Sequence, residues 1–209
     1  IQGERAIGEF DLAKGGAIVA RVESGHRAPE LHVFSGGRER ALTRLNADFH
    51  ARLVLAEKVS TSFKAPDGTQ VQAFVTKPPD FVPGRRYPTV LNIHGGPVGQ
   101  FAWGFDFESQ YLAANGYVVV EPNPRGSTGR GEDFVRAIYR TWGITDYDDL
   151  IAAVDHAIAE GYADPDRLAV TGYSYGGYMT NVVITRTDRF KAAASGAGHS
   201  YIAGNYGHD

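Results

Sequence analysis

The sequence contains no cysteine, a single methionine and no long apolar run. Without cysteine, disulfides and thiolate metal sites are excluded, while the compartment stays open because many exported proteins also lack it. Nothing approaches the roughly 18 consecutive apolar residues that a membrane helix needs. The stretch around Tyr117–Val120 is only strand-sized. No signal-peptide pattern is visible, but the chain starts at Ile1 rather than Met, so its natural N-terminus is expected to lie elsewhere. An excess of either charge is also lacking: 21 Lys and Arg face 24 Asp and Glu, a formal net charge of −3. Such a chain has no global attraction for nucleic acid or an anionic membrane, and neither is expected as a partner. The histidines show no metal-ligand spacing, so neither a metal nor another cofactor is expected.

What is present is the composition of a globular protein, 43% hydrophobic and 22% charged over 209 residues. That suits one domain, or one domain and a piece of another. Residues 1–55 read as short strands punctuated by glycine turns: Ala17-Ile-Val-Ala-Arg-Val22, a loop at Gly25, Glu30-Leu-His-Val-Phe34, then Gly36-Gly37. This all-β piece is too short to close a sheet of its own and is expected to join a larger one, although one propeller blade would also look like this. Arg38–Arg44 reads as a solvated loop or strand edge.

Residues 56–209 change pattern. A hairpin is predicted around Pro66-Asp67-Gly68-Thr69, and buried strands at Thr89–Ile93, Tyr117–Glu121 and Arg167–Thr171, with a fourth strand at Phe190–Ser195. Helices are predicted over 109–115, 133–139, 146–160 and 177–187. Alternating strands and helices imply an α/β fold with a mainly parallel sheet covered on both faces. Function on such sheets gathers at the carboxyl ends of the strands.

The informative motifs follow those strands. Gly172-Tyr-Ser-Tyr-Gly176 lies between a strand and a helix, the context in which G-x-S-x-G forms a nucleophile elbow; the alternative is a tight turn carrying an inert serine. Ser174 is the candidate nucleophile, with the N–H of Tyr175 aimed at an oxyanion. His94-Gly95-Gly96-Pro97 ends another strand and makes Gly95 the second candidate oxyanion donor. His94 precedes the serine, whereas the hydrolase order is serine, acid, histidine, so it is not the candidate base. Arg125, in Asn123-Pro-Arg-Gly-Ser-Thr-Gly129, either pins loops or meets a substrate carboxylate. Asp146, Asp148 and Asp149 open a helix, where capping and solvation are expected rather than metal binding.

With Trp142-Gly-Ile-Thr-Asp-Tyr-Asp-Asp-Leu150, Gly172-Tyr-Ser-Tyr-Gly-Gly-Tyr-Met179 and Thr185-Arg-Thr-Asp-Arg-Phe-Lys-Ala192 added to these, the sequence resembles the prolyl oligopeptidase (S9) family of serine peptidases. The acylaminoacyl-peptidase and dipeptidyl-peptidase branches are the most similar. The resemblance implies an α/β-hydrolase fold joined to an N-terminal β-propeller, with 1–55 as the propeller's last blade and 56–209 as the first part of the catalytic domain. It implies Ser174 as nucleophile, Gly95 and Tyr175 as oxyanion donors, and Tyr178 and Tyr206 near the substrate pocket. His94 stands where dipeptidyl-peptidase relatives place a tyrosine, which favours backbone donors.

A serine needs a base, and the base an orienting acid. After Ser174 the sequence offers only His199 and His208, with Asp188 and Asp209, and in the family the acid and histidine follow two later strands. The chain therefore reads as an internal fragment whose partners are a peptide substrate and the remainder of the enzyme, the latter possibly a second chain. A homo-oligomer is compatible with this. A carboxylesterase using the same serine, and a catalytically silent piece awaiting its complement, are the alternative functions.

Overall fold

The computed structural model describes residues 3–205 and 207. Its first element is a four-stranded antiparallel sheet in the order β1-β2-β3-β4. The strands are β1 (Ala6–Leu12), β2 (Ile18–Ser24), β3 (Arg27–Ser35) and β4 (Arg38–Ala41). The expectation that this segment joins a larger sheet is thus corrected. The missing strand was β1, whose Ala-Ile-Gly-Glu-Phe-Asp-Leu lacks a clean alternation and leaves Phe10 and Leu12 exposed. The β3–β4 turn needs Gly36 and Gly37, because both have positive φ (55° and 74°), as in the two-residue turns that match strand twist. The short helix α1 (Ala47–Arg52) leads out of this sheet, and His50 Nε2 accepts a hydrogen bond from the Ala28 N–H at 3.2 Å.

The remainder builds a six-stranded sheet. The hairpin β5 (Lys58–Lys64) and β6 (Gln70–Thr76) comes first, then β7 (Tyr87–Ile93). Helix α2 (Phe107–Ala114) leads to β8 (Val118–Asn123), and α3 (Glu132–Arg136) and α4 (Thr145–Ala159) lead to β9 (Ala163–Tyr173). Helix α5 (Tyr175–Arg186) and β10 (Phe190–Gly196) complete it. The order is β10-β9-β7-β8-β6-β5, with β10, β9, β7 and β8 parallel and the first hairpin antiparallel. The chain steps from β7 to β8 on one side and then returns to place β9 on the other. That reversal opens a crevice at the carboxyl ends of β7 and β9.

Burial explains why these segments fold as they do. Val118, Val119 and Val120 are buried on both faces of a central strand, as a continuous apolar run requires. Helix α4 turns Leu150, Ala153, Val154 and Ala157 inward at helical spacing. Leu150 and Val154 meet Leu91, Leu168, Val170 and Met179, each large side chain contributing about 1.5–3 kcal/mol by its burial. Strand β10 is different: as an edge strand its residues from Lys191 to Ser195 are exposed.

Candidate active site

Ser174 sits between the last residue of β9 and the first of α5, with φ 59° and ψ −120°. A serine in that conformation costs about 1–3 kcal/mol, so its surroundings must impose it. Two backbone bonds hold it: Ser174 N–H donates to Gly196 O at 2.8 Å, and Tyr178 N–H donates to Ser174 O at 3.0 Å. Glycines leave the room. A Cβ on Gly172 would lie 2.4 Å from Gly176 O, and one on Gly176 would lie 2.0 Å from Ile93 O. The elbow is therefore wedged against the end of β7, where no side chain fits. The Ser174 side chain is exposed, and the helix behind it presents its positive end to any developing anion.

The loop after β7 brings Gly95 to the same place. A Cβ on Gly95 would stand 3.5 Å from Ser174 Cβ and 3.2 Å from Tyr173 O. A side chain there would be in tight contact with the backbone just before the serine. His94 lies behind it, with Nδ1 2.8 Å from Gly95 O and Nε2 2.8 Å from the Ser127 hydroxyl. Burial pushes the His94 ring's pKa down, which suits a neutral structural imidazole. The loop after β8 braces the loop after β7: Asn123 Oδ1 accepts from Phe101 N–H at 2.7 Å, and Thr128 N–H donates to Gly99 O at 2.9 Å. A cleft of about 550 Å³ opens here, lined in part by His94, Gly95, Phe101, Tyr173 and Gly196.

Arg125 is held by carboxylates of its own chain. Its Nε and Nη2 donate to the two oxygens of Asp149 at 3.0 and 2.7 Å, and its own N–H donates to Asp149 Oδ2 at 2.8 Å. A further short bond runs from Nη1 to Asp67. Through these bonds to carboxylates Arg125 pins α4 and the β5–β6 turn to the loop after β8, the first of the two roles the sequence leaves open to it. The solvated reading of the aspartates is corrected too, because Asp146 and Asp149 are fully buried. Asp149 is held by Arg125, while its burial pushes its carboxyl upward. Asp146 accepts a short hydrogen bond from the Tyr175 hydroxyl.

Tyr175 and Tyr178 share an aromatic cluster with Trp142. Trp142 meets Tyr175 edge-on at 5.0 Å between ring centres, and Tyr178 lies 5.7 Å from Tyr175. The Tyr178 hydroxyl points at Trp142 O, 3.4 Å away. Trp142 and Asp146 were not singled out as functional from sequence; their shared segment leading into the first turn of α4 was the available signal.

The sequence profile of the family described as the Prolyl oligopeptidase family matches residues 103–209, half of the chain and all of the elbow. The chain belongs to the prolyl oligopeptidase family. Among the relatives of this prolyl oligopeptidase family member is the uncharacterized peptidase YuxL of Bacillus subtilis, 41% identical over 180 residues, which are 85% of this chain and 27% of that one. Dipeptidyl-peptidase 5 of Porphyromonas gingivalis is 30% identical over 203 residues, 94% of this chain and 29% of the relative. Among solved structures, the acylaminoacyl peptidase of Pyrococcus horikoshii superposes with a TM-score of 0.90 at 34% identity, over 98% of this chain and 33% of that one. The chain thus spans about a third or less of the relatives it matches. Its α/β architecture is that of the family's hydrolase region.

Among the described residues, no histidine or carboxylate of this family member is hydrogen-bonded to Ser174. His199 and Asp188 are both exposed, and Asp188 lies in the turn between α5 and β10. Tyr206, His208 and Asp209 lie outside the described residues.

Proposed function

We propose that this chain carries the nucleophile and oxyanion site of a serine peptidase that hydrolyses short peptides through an acyl-enzyme. The observation that carries the reading is the approach of Gly95 to Ser174 at the crevice between β7 and β9. Ser174 Oγ attacks the scissile carbonyl carbon, and the N–H groups of Gly95 and Tyr175 receive the resulting oxyanion. The serine proton passes through a base to the leaving amine, and water then hydrolyses the ester on Ser174. That base and its acid come from outside the described residues. Residues 1–55 serve as the last blade of a propeller and 56–209 as the first part of the catalytic domain; the separate four-stranded sheet supports this division.

Replacing Ser174 with alanine in the complete enzyme is expected to lower peptide turnover by at least about 10³-fold. Turnover near the unsubstituted level would end the proposal. The exposed Ser174, with no hydrogen-bonded base among the described residues, also favours a second reading: a silent piece that becomes active only with its complement. Intact-mass analysis after a fluorophosphonate probe separates the two. An adduct on Ser174 in a sample of this chain alone would contradict the silent piece, and an adduct only when a second polypeptide is present would support it. A carboxylesterase is distinguished by comparing kcat/KM for matched peptide and ester substrates.

A further inference from the structure

The N-terminal half of α4 buries two aspartates, Asp146 and Asp149, with different partners. Asp149 is matched by a guanidinium, which accounts for its burial. Asp146 forms no ion pair among the described residues. One of its oxygens accepts from the Tyr147 N–H at 3.1 Å, and the other accepts from the Tyr175 hydroxyl. A carboxyl group without a cation is costly to bury, and phenylalanine at 175 would fill the same space against Trp142. The tyrosine hydroxyl is therefore used for something that packing alone does not need.

Tyr175 follows the serine directly, and its backbone N–H is one of the free donors at the start of α5. Its ring runs from the elbow back to α4, between Trp142 and Tyr178. The Trp142 segment is itself shaped to reach it: Gly143 has φ 77°, and a Cβ there would lie 3.0 Å from the Tyr178 hydroxyl. We propose that Asp146 is a positioning residue that, through the Tyr175 hydroxyl, fixes the direction of the Tyr175 N–H towards the oxyanion. This rests on the serine-hydrolase reading above. Asp146 touches neither substrate nor reacting atoms; it acts on the elbow from behind, by anchoring the first side chain of α5 to α4.

The test uses the complete enzyme, with active sites counted by fluorophosphonate titration, and the best-cleaved of a panel of acetyl-aminoacyl and dipeptidyl p-nitroanilides. Asp146→Ala and Tyr175→Phe should each lower kcat about 10- to 100-fold while KM stays within about threefold, the pattern of a misplaced transition-state contact. The double variant should be no worse than the poorer single one, since both break one link. Asp146→Asn keeps an acceptor oxygen for the tyrosine hydroxyl and should recover most of the lost kcat. Should Asp146→Ala fail to fold, Tyr175→Phe and Asp146→Asn decide alone. Unchanged kcat per titrated site, additive losses in the double variant, or an asparagine no better than alanine would each overturn the inference. Ser174→Ala in the same assay keeps the two levels apart. If it is inactive while the Asp146 variants are fully active, only the positioning role falls; if it is active, the serine reading falls.

Discussion

In the α/β part, two carboxylates are paired with cations out of contact with water. Asp149 and Glu121 are fully buried, against Arg125 and Lys58 respectively, and Glu121 also accepts from the Ser109 hydroxyl at 2.9 Å. The N-terminal sheet carries its pairs on the outside instead: Arg5–Glu39 has side chains 24% and 30% exposed, and Arg21–Glu9 is more open still. The two regions also use glycine differently. At the elbow, glycine is demanded by close approach of backbone, as at Gly176 against Ile93 O. In the sheet, Gly36 and Gly37 face open space and are demanded only by turn conformation. Burial makes the difference. A pair without water leaves an uncompensated charge when broken, whereas an exposed pair is replaced by solvent.

Four substitutions test that contrast, beginning with the greatest effect. Gly176→Ala sets a Cβ against backbone that cannot yield, so a destabilisation above about 4 kcal/mol is expected, seen as loss of soluble protein or of a denaturation transition. A folded, active alanine variant would show that the wedge against β7 is looser than described. Asp149→Ala strands Arg125 and should cost about 3–5 kcal/mol by urea unfolding. An effect below about 1 kcal/mol would place this pair in the class of the exposed ones.

Asp67 sharpens the comparison because it is an exposed acid tied to the buried Arg125. The Thr69 N–H and Arg125 lower its pKa from 3.8 to about 2. Its ionised form is favoured in the fold, so its contribution is complete above about pH 4 and is lost as pH falls through about 2. Asp67→Asn should therefore flatten the acid side of a stability-against-pH curve in that window and leave the neutral side parallel; an unchanged acid limb would contradict the bond. The smallest effect is expected for Glu39→Gln in the N-terminal sheet, about 0–1 kcal/mol by thermal unfolding and reduced further by salt. A loss as large as that of Asp149→Ala would remove the distinction between the regions.

Much of the α/β part was legible in the sequence. Strand–helix alternation and the G-x-S-x-G context locate Ser174 correctly between β9 and α5, because the elbow is a local feature with its own glycines. The roles of the aspartates were not legible. Asp146, Asp148 and Asp149 look alike at a helix start, and only Asp148 faces solvent. Helical periodicity says which residues share a face, but not whether a guanidinium or a phenol waits opposite. Strand β1 escaped for a related reason: an exposed edge strand need not alternate.

The sequence by itself determined the order of the elements from β5 onward, the strained turn at Ser174 and the need for glycine at 172 and 176, since each follows from spacing, propensity and backbone sterics over a few residues. The tertiary structure alone decided that β9 returns to lie beside β7, setting Gly95 against Ser174, that Arg125 spends its donors on Asp149 and Asp67, and that Tyr175 reaches back to Asp146. Those contacts join residues far apart in the chain, and strand order, not local pattern, sets which of them meet.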